Sequence, residues 1–167
     1  MGISSFDELA DLVFSKLSAL MAEHEGLEIF AVERAKFEGW VKVELVGILK
    51  RHFETVVPEA GGIDVVADDW AIELKTVNTN YRHPLAKSKT RPVTYNVKLV
   101  LRDIEKLRRT NYPKKAVLFI VFPLPDKSLE KWEKTHLSKI RSKLRKLRHH
   151  GFEFRNGVPA IIYLGYV

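Results

Sequence analysis

The stretch Gly61-Gly62-Ile63-Asp64-Val65-Val66-Ala67-Asp68-Asp69-Trp70-Ala71-Ile72-Glu73-Leu74-Lys75 decides the fold of this chain. Two apolar runs rich in β-branched residues flank Asp68-Asp69, and such a polar pair is typical of a tight turn. The pattern therefore predicts a β-hairpin in which residues whose numbers sum to 137 face each other across the two strands.

The two faces of this hairpin differ in chemistry, because successive side chains of a strand point to opposite sides. The apolar face consists of Ile63, Val65, Ala67, Trp70, Ile72 and Leu74. On the other face Asp64 lies opposite Glu73, and Lys75 is the nearest cation in sequence. Opposed carboxylates repel at a Cβ separation of about 4.5–5.5 Å. A divalent cation removes that repulsion, and hard carboxylate oxygens suit Mg²⁺.

Periodic apolar positions predict further elements on both sides of the hairpin. The predicted helices span Phe6–His24, Lys36–His52, Asn96–Arg109 and Ser128–His150, and the other predicted strands span Phe53–Val57, Ala116–Phe122, Phe152–Arg155 and Ala160–Tyr166. Strands that alternate with helices indicate an α/β fold, a mixed β-sheet flanked by helices. A chain of 167 residues is expected to form a single domain, residues 1–167.

The net charge of +7 is distributed unevenly along the chain. Residues 1–76 contain 7 basic and 15 acidic residues, whereas residues 77–167 contain 21 basic and 6 acidic residues. Two acid-free segments hold much of the excess; they contain Arg82, Lys87, Lys89 and Arg91 in the first, and Lys139, Arg141, Lys143, Arg145, Lys146 and Arg148 in the second. Such clusters are typical of a phosphate-binding surface and predict a nucleic-acid partner.

The composition also excludes several classes of protein. The chain has no cysteine, which rules out disulfide scaffolds, thiolate zinc sites and cysteine nucleophiles. It has no apolar run long enough for a transmembrane helix and does not begin with the basic and apolar regions of a secretory leader. We therefore expect a cytoplasmic protein that does not bind membranes.

The motif of Asp64 followed after eight residues by Glu73-Leu74-Lys75 on a hairpin resembles the PD-(D/E)xK nucleases. That superfamily includes type II restriction endonucleases, Mrr-type restriction enzymes and archaeal Holliday-junction resolvases. The resemblance covers residues 36–122, in the order helix, three strands, helix, strand, with Ile63 in place of the proline in the family's name. It implies a restriction-endonuclease-like fold, here with an extra N-terminal helix and a basic C-terminal helix.

The same resemblance implies roles for individual residues. Asp64 and Glu73 would bind Mg²⁺ or Mn²⁺ together with the carbonyl of Leu74, and Lys75 would position the attacking water. The family often adds a glutamate from the preceding helix, and two residues are open for this role. Glu44 lies within the apolar arc of that helix, whereas Glu38 lies at its edge, follows Phe37 as in Mrr-type enzymes, and has Lys42 as an i+4 partner.

These observations predict a magnesium-dependent endonuclease that acts on DNA rather than RNA, with a homodimer left open. Its basic loop, with Arg82, Lys87, Lys89 and Arg91, would flank the cleft. The second basic segment would hold the nucleic-acid backbone through Arg141, Arg145 and Arg148. Two alternatives remain: a catalytically inactive nuclease fold that only binds nucleic acid, and a protein-interaction subunit whose basic helix contacts an acidic partner.

Overall fold

A computed structural model describes residues 2–88 and 91–167. The helices are α1 (Phe6–Glu23), α2 (Glu25–Glu33), α3 (Glu38–Leu49), α4 (Thr94–Arg108), α5 (Asp126–Trp132) and α6 (Ser138–Arg141), with a π-helical segment at Glu133–Leu137 between the last two. The strands are β1 (Val56–Pro58), β2 (Val65–Ala67), β3 (Trp70–Asn78), β4 (Lys114–Phe122), β5 (Lys146–Glu153) and β6 (Pro159–Tyr166). Within the described ranges, no helix combines the length and the apolar character needed to cross a bilayer.

The strands form one six-stranded sheet in the order β1-β2-β3-β4-β6-β5. The β3–β4 pair is parallel and every other neighbouring pair is antiparallel. The crossover between β3 and β4 runs through α4, as a parallel pair requires. The prediction of an α/β fold with a mixed sheet flanked by helices is therefore confirmed.

The register of the central hairpin is the predicted one. Val65 pairs with Ile72, Val66 with Ala71, and Ala67 with Trp70, so each pair sums to 137. The turn residue Asp68 adopts φ 49°, the left-handed conformation that hairpin turns use.

The first strand of the hairpin is shorter than predicted. Residues Ala60–Gly62 form a 3₁₀ turn, in which Gly61 and Gly62 have φ values of 57° and 81°. Glycine carries no penalty at such angles. Regular alternation does not extend back through this turn. The assignment of Ile63 to the face of Val65 was consequently wrong, and its side chain packs beside Ala71 on the opposite side.

Two apolar layers enclose the sheet. Val65, Ile72 and Leu74 pack with residues of α1 and α3 on one side, while Ala71 and Val77 pack with residues of α4 on the other. Strand β4 contributes alternate side chains to both layers, as expected for a strand whose run of apolar residues is unbroken. This sandwich holds β3 rigidly between α3 and α4, the two helices that supply side chains to the candidate site.

The N-terminal helix begins where the sequence predicts. Ser5 Oγ accepts a hydrogen bond from the Glu8 backbone N–H at 3.1 Å and caps α1. Helix α2 was not predicted. It follows directly because the Nδ1 atom of His24 accepts hydrogen bonds from the N–H groups of Gly26 and Leu27, which starts a new helix.

The helix predicted over Ser128–His150 is confirmed as far as Arg141, and its basic C-terminal part is wrong. Helical structure ends at Arg141, and residues 146–153 form β5, which pairs along its whole length with β6. Leu144 and Leu147 pack against the core on the α4 side of the sheet. The helical interpretation also predicted that both side chains face inward. Pairing with β6 satisfies a strand edge through backbone hydrogen bonds, and this tertiary interaction outweighs the helical propensity of the segment.

Candidate active site

The Asp64 and Glu73 side chains meet at the end of the hairpin. Asp64 directly precedes β2, Glu73 lies in β3, and their carboxyl groups are close enough to shift each other's pKa values. Glu73 is only 2% exposed. The hairpin thus brings together the two acidic groups that the sequence pattern placed near each other, and one of them is buried, although the strand pairing itself ends at Val65 and Ile72.

The backbone edge of β3 next to Asp64 carries no strand among the described residues, because β2 pairs with β3 only as far as Ile72. Two carboxylates bind this edge instead. Leu74 N–H donates to Asp64 Oδ2 at 2.8 Å, and Thr76 N–H donates to Glu38 Oε1 at 2.9 Å. Since the N–H and C=O of one strand residue point the same way, the Leu74 carbonyl faces the same edge.

The two candidate glutamates of α3 lie in different places. Glu38 accepts a hydrogen bond from Thr76, which lies two residues after the Leu74 that is bonded to Asp64. Both carboxylates therefore lie at the same edge of β3. Glu44 lines a groove between α1 and α3 with Lys16 and Arg51. The structure therefore brings Glu38, and not Glu44, to the edge of β3 that Asp64 also contacts.

Lysines from both flanking helices reach the acidic pair. Lys42 of α3 lies 2.9 Å from Asp64 Oδ1 and also bonds Glu59, so it does not serve as the partner of Glu38 that the i+4 spacing suggested. Lys106 of α4 lies 2.6 Å from Glu73 Oε1.

Lys75 forms an ion pair with a residue of α4. Its Nζ lies 3.3 Å from Asp103 Oδ2, and Asp103 is largely buried. The two carboxylates form their ion pairs with lysines of the flanking helices, Lys42 of α3 and Lys106 of α4, which the hairpin pattern alone did not indicate. Lys75 does lie on the same side of β3 as Glu73, as strand alternation requires.

The environment separates the pKa values of the two carboxyl groups. Burial, reinforced by the adjacent Asp64, raises the pKa of Glu73 to about 8 although Lys106 opposes the shift. Burial acts in the same sense on Asp64, but hydrogen bonds from Glu73, from the Leu74 N–H and from Lys42 lower the pKa of Asp64 overall. Such divergent values in one pair are typical of sites that handle protons or metals.

The donor set at this edge suits a hard divalent cation. Within residues 2–88 and 91–167, no group of three or more His, Cys, Asp and Glu side chains could hold a metal ion. The pair supplies two carboxylates, and the Leu74 carbonyl adds a third oxygen. Mg²⁺ is commonly bound by one or two carboxylates, with waters and substrate phosphates completing its shell. Asp64, Glu73 and the Leu74 carbonyl are therefore the oxygen donors that would hold Mg²⁺ or Mn²⁺ if one binds at this edge.

Three of the six cations of the second basic segment, Arg145, Lys146 and Arg148, contact other side chains of the protein. Arg148 lies in β5 and pairs with Asp7 at 3.3 Å and with Asp11 at 2.7 Å. Arg145 lies over the Tyr166 ring, 5.6 Å from its centroid, and Arg141 is exposed at the end of α6. The prediction of one continuous basic helix for binding nucleic acid is thus contradicted.

The first basic segment is a loop, as predicted, and its cations differ in their surroundings. Arg82 is exposed and lines a cleft of about 460 Å³ together with His83 and Lys127. Arg91 is exposed and lies 4.5 Å from the centroid of the Tyr95 ring. Lys87 pairs with Glu33 at 2.5 Å. Lys89 lies outside the described residues.

Sequence reasoning missed the residue that holds this loop. Arg34 is 1% exposed and donates hydrogen bonds to three backbone carbonyls of the loop, from Nε to Lys87 and from its terminal nitrogens to Thr79 and Tyr81. No local pattern reveals this role, because the partners lie about fifty residues away in sequence.

Asp103 and Lys106 were also missed as members of the site. One signal was present: Asp103 is a charged residue of α4 that lies three positions after the inward-facing Val100 and four before Leu107, and Lys106 follows Asp103 by three positions. That position is equally typical of solvated boundary residues, so the sequence could not distinguish the two cases.

Comparison of the chain with protein-family models, curated proteins and solved structures gave no match. The chemical interpretation of the site consequently depends on its own residues and geometry.

Proposed function

We propose that this protein is a metal-dependent nuclease that hydrolyses phosphodiester bonds of DNA. The observation that carries the proposal is the contact between the buried Glu73 carboxyl and Asp64 at an edge of β3 that also presents the Leu74 carbonyl. Placing two carboxyl groups together with one of them buried costs free energy, and a purely structural hairpin gains nothing from that cost.

The order of elements supports a restriction-endonuclease-like fold. Helix α3, strands β1, β2 and β3, helix α4 and strand β4 follow the order helix, three strands, helix, strand that the PD-(D/E)xK superfamily shares. The acidic pair and Lys75 occupy the hairpin strands within this order, and Glu38 comes from the helix before them.

The residues of the site suit phosphodiester hydrolysis. Bound Mg²⁺ or Mn²⁺ would neutralise charge on the phosphate and activate water. In hydrolysis a water oxygen adds to phosphorus in line with the sugar oxygen that leaves, and the bond to that oxygen breaks. The Lys75 ammonium can donate hydrogen bonds to the water or to the phosphate oxygens that gain charge. Asp103, 3.3 Å away, orients this ammonium.

Exposed cations near the end of β3 provide a surface for the nucleic-acid backbone. Arg82 and Lys127 share a cleft with His83, and Arg91 lies in the same loop connection. DNA is proposed over RNA because of the resemblance to DNA nucleases, and dimer formation stays a prediction.

The decisive experiment is a cleavage assay on linear, branched and single-stranded DNA. The protein is expected to cut at least one substrate with Mg²⁺ or Mn²⁺ and to stop in EDTA. Lys75→Met is expected to lower kcat at least about 100-fold, the usual contribution of such a group, with DNA affinity nearly unchanged. Glu73→Gln is expected to abolish metal-dependent activity.

Two substitutions elsewhere in the sheet, each similar in shape to the residue that it replaces, serve as controls. Lys114→Met removes a lysine that pairs with Asp69 on the same sheet, and Asp69→Asn removes its partner in the hairpin turn. Both are expected to retain wild-type cleavage. Cleavage that persists in EDTA, or that survives Glu73→Gln, would contradict the proposal.

One observation favours a second candidate function, the nuclease fold that binds nucleic acid without cutting it. Both carboxylates of the pair already have a lysine partner, Lys42 for Asp64 and Lys106 for Glu73. Salt-dependent DNA binding without cleavage of any substrate would identify this function. A chain that binds an acidic protein and no DNA would instead be the interaction subunit.

A further inference from the structure

Lys106 occupies an unusual position for a lysine of a surface helix. From α4 its ammonium reaches across to the hairpin, where it lies 2.6 Å from Glu73 Oε1 and donates a hydrogen bond to the Gly62 carbonyl. Glu73 is buried, whereas the Lys106 side chain is 45% exposed. The ammonium therefore lies between solvent and the inner carboxyl group of the pair.

Three carboxyl groups of the site each have a lysine partner. Asp64 faces Lys42 at 2.9 Å, Glu73 faces Lys106 at 2.6 Å, and Asp103 faces Lys75 at 3.3 Å. A divalent cation added to this arrangement would place two further positive charges beside these lysines.

We propose that Lys106 is a built-in counter-ion that holds the metal position at Glu73 and must withdraw before a divalent cation can bind there. The inference rests on the proposed metal-dependent function and adds a residue that regulates metal entry. A metal ion and an ammonium cannot share Glu73 Oε1 without strong repulsion, since both are cations and the carboxyl group is buried.

The surroundings of the two lysines explain why Lys106, and not Lys42, is the one that withdraws. Lys42 is bridged between Asp64 and Glu59, and its side chain is 21% exposed. Lys106 is twice as exposed and lines an open surface groove on α4 together with Lys98 and Glu105. Its flexible stem can therefore carry the ammonium into solvent, at the cost of one ion pair and one hydrogen bond.

The test measures metal binding directly, without an activity assay. Mg²⁺ and Mn²⁺ are titrated calorimetrically into wild-type protein, Lys106→Met, Lys106→Arg and Lys98→Met at one pH and one ionic strength. Lys106→Met keeps the apolar stem and removes the charge, so it is expected to bind the metal at least about ten-fold more tightly than wild type. Lys106→Arg keeps the charge and is expected to bind no more tightly than wild type.

Lys98→Met is the matched control, because Lys98 is an exposed lysine of the same helix that lines the same groove. It is expected to bind metal as wild type does. Melting in EDTA provides a second readout: Lys106→Met is expected to melt below Lys98→Met and to gain more on addition of Mg²⁺, since a ligand that binds only the folded state stabilises it. Should Lys106→Met not fold, Lys106→Gln offers a neutral polar replacement for the same titration.

The outcomes separate this inference from the proposed function. Equal metal affinity in wild type and Lys106→Met would overturn the counter-ion role and leave the nuclease proposal standing. Binding by Lys106→Met alone would support the counter-ion role and overturn metal dependence in the natural protein. Absence of binding in both would overturn the two together.

Discussion

The protonation of Glu73 depends on the groups that surround its side chain. Its carboxyl group is buried beside Asp64 and is contacted by Lys106. Burial and the neighbouring carboxylate favour the protonated form, and they raise the pKa from an ordinary value of 4.5 to about 8. Metal binding requires the deprotonated form, so metal and proton compete for this residue.

This pKa predicts how stability depends on pH in the metal-free protein. Between about pH 4.5 and pH 8 the folded state retains a proton on Glu73 that the unfolded state has lost. The stabilisation is complete below that window and is lost as the pH rises through it, by at most about 1.4 kcal/mol per pH unit. Denaturant unfolding in EDTA at several pH values within the window measures the slope.

Glu73→Gln is expected to remove this contribution to the slope, because the amide does not titrate. Glu105→Gln on α4 is the control, since Glu105 is half exposed and pairs with Arg108 on the surface of the same helix. A Glu73→Gln slope equal to that of wild type would show that Glu73 titrates normally in the folded protein.

At the scale of elements, the basic loop depends on the end of α2. Arg34 adopts φ 56° directly after that helix and extends its guanidinium under the loop, where it bonds the carbonyls of Thr79, Tyr81 and Lys87. The return contact comes from Asn78, which donates to the Arg34 carbonyl at 2.7 Å. An extended loop that leaves β3 is thus tied back to the helical layer.

Arg34→Met is expected to lower the free energy of unfolding by about 3 kcal/mol, because it leaves several buried carbonyls without their charged donor. For a chain of this size the melting temperature should fall by about 10 °C. Arg155→Met is the control. Arg155 pairs with Glu25 at 2.6 Å on the surface, and such pairs contribute at most about 1 kcal/mol. Equal losses in the two variants would contradict the anchoring role of Arg34.

At the scale of the whole molecule, the charge asymmetry of the sequence is partly neutralised inside the fold. The acidic N-terminal half and the basic C-terminal half meet where β5 packs against α1, and Lys146 and Arg148 pair there with Asp7 and Asp11. Lys106 likewise pairs with Glu73 across the two halves. The excess of positive charge in the C-terminal half therefore overstates the surface that is free to meet phosphate.

Nucleic-acid binding is expected to depend on the loop cleft and not on β5. Each phosphate contact adds about 0.9 to the slope of log K against log salt on duplex DNA. Replacing Arg82 and Lys127 with serine should reduce that slope by about 1.8 and weaken binding to all sequences alike. Salt titrations of DNA affinity measure the change.

Arg148→Ser provides the comparison within the same protein. Because Arg148 is engaged with Asp7 and Asp11, its loss should leave the salt slope at the wild-type value. A slope that falls for Arg148→Ser and stays constant for the loop variant would place the nucleic-acid surface on β5.

The sequence by itself determined the features that short-range patterns encode. Alternation of apolar and polar residues around Asp68-Asp69 was enough to predict the register in which Val65 pairs with Ile72 and Ala67 with Trp70, because a shift by one residue would turn every apolar side chain outward. The start of α1, the course of β4 and the mixed α/β architecture followed from capping and periodicity in the same way.

Only the tertiary structure decided which side chains surround that pair and what the C-terminal segment becomes. Lys42, Asp103 and Lys106 reach the site from helices whose faces are set by packing, and Glu38 rather than Glu44 meets β3 because of the rotation of α3. Residues 146–153 form a strand because they pair with the backbone edge of β6, and no local sequence pattern indicates that pairing. Local propensities amount to tenths of a kcal/mol per residue, so long-range hydrogen bonding and burial override them wherever the two conflict.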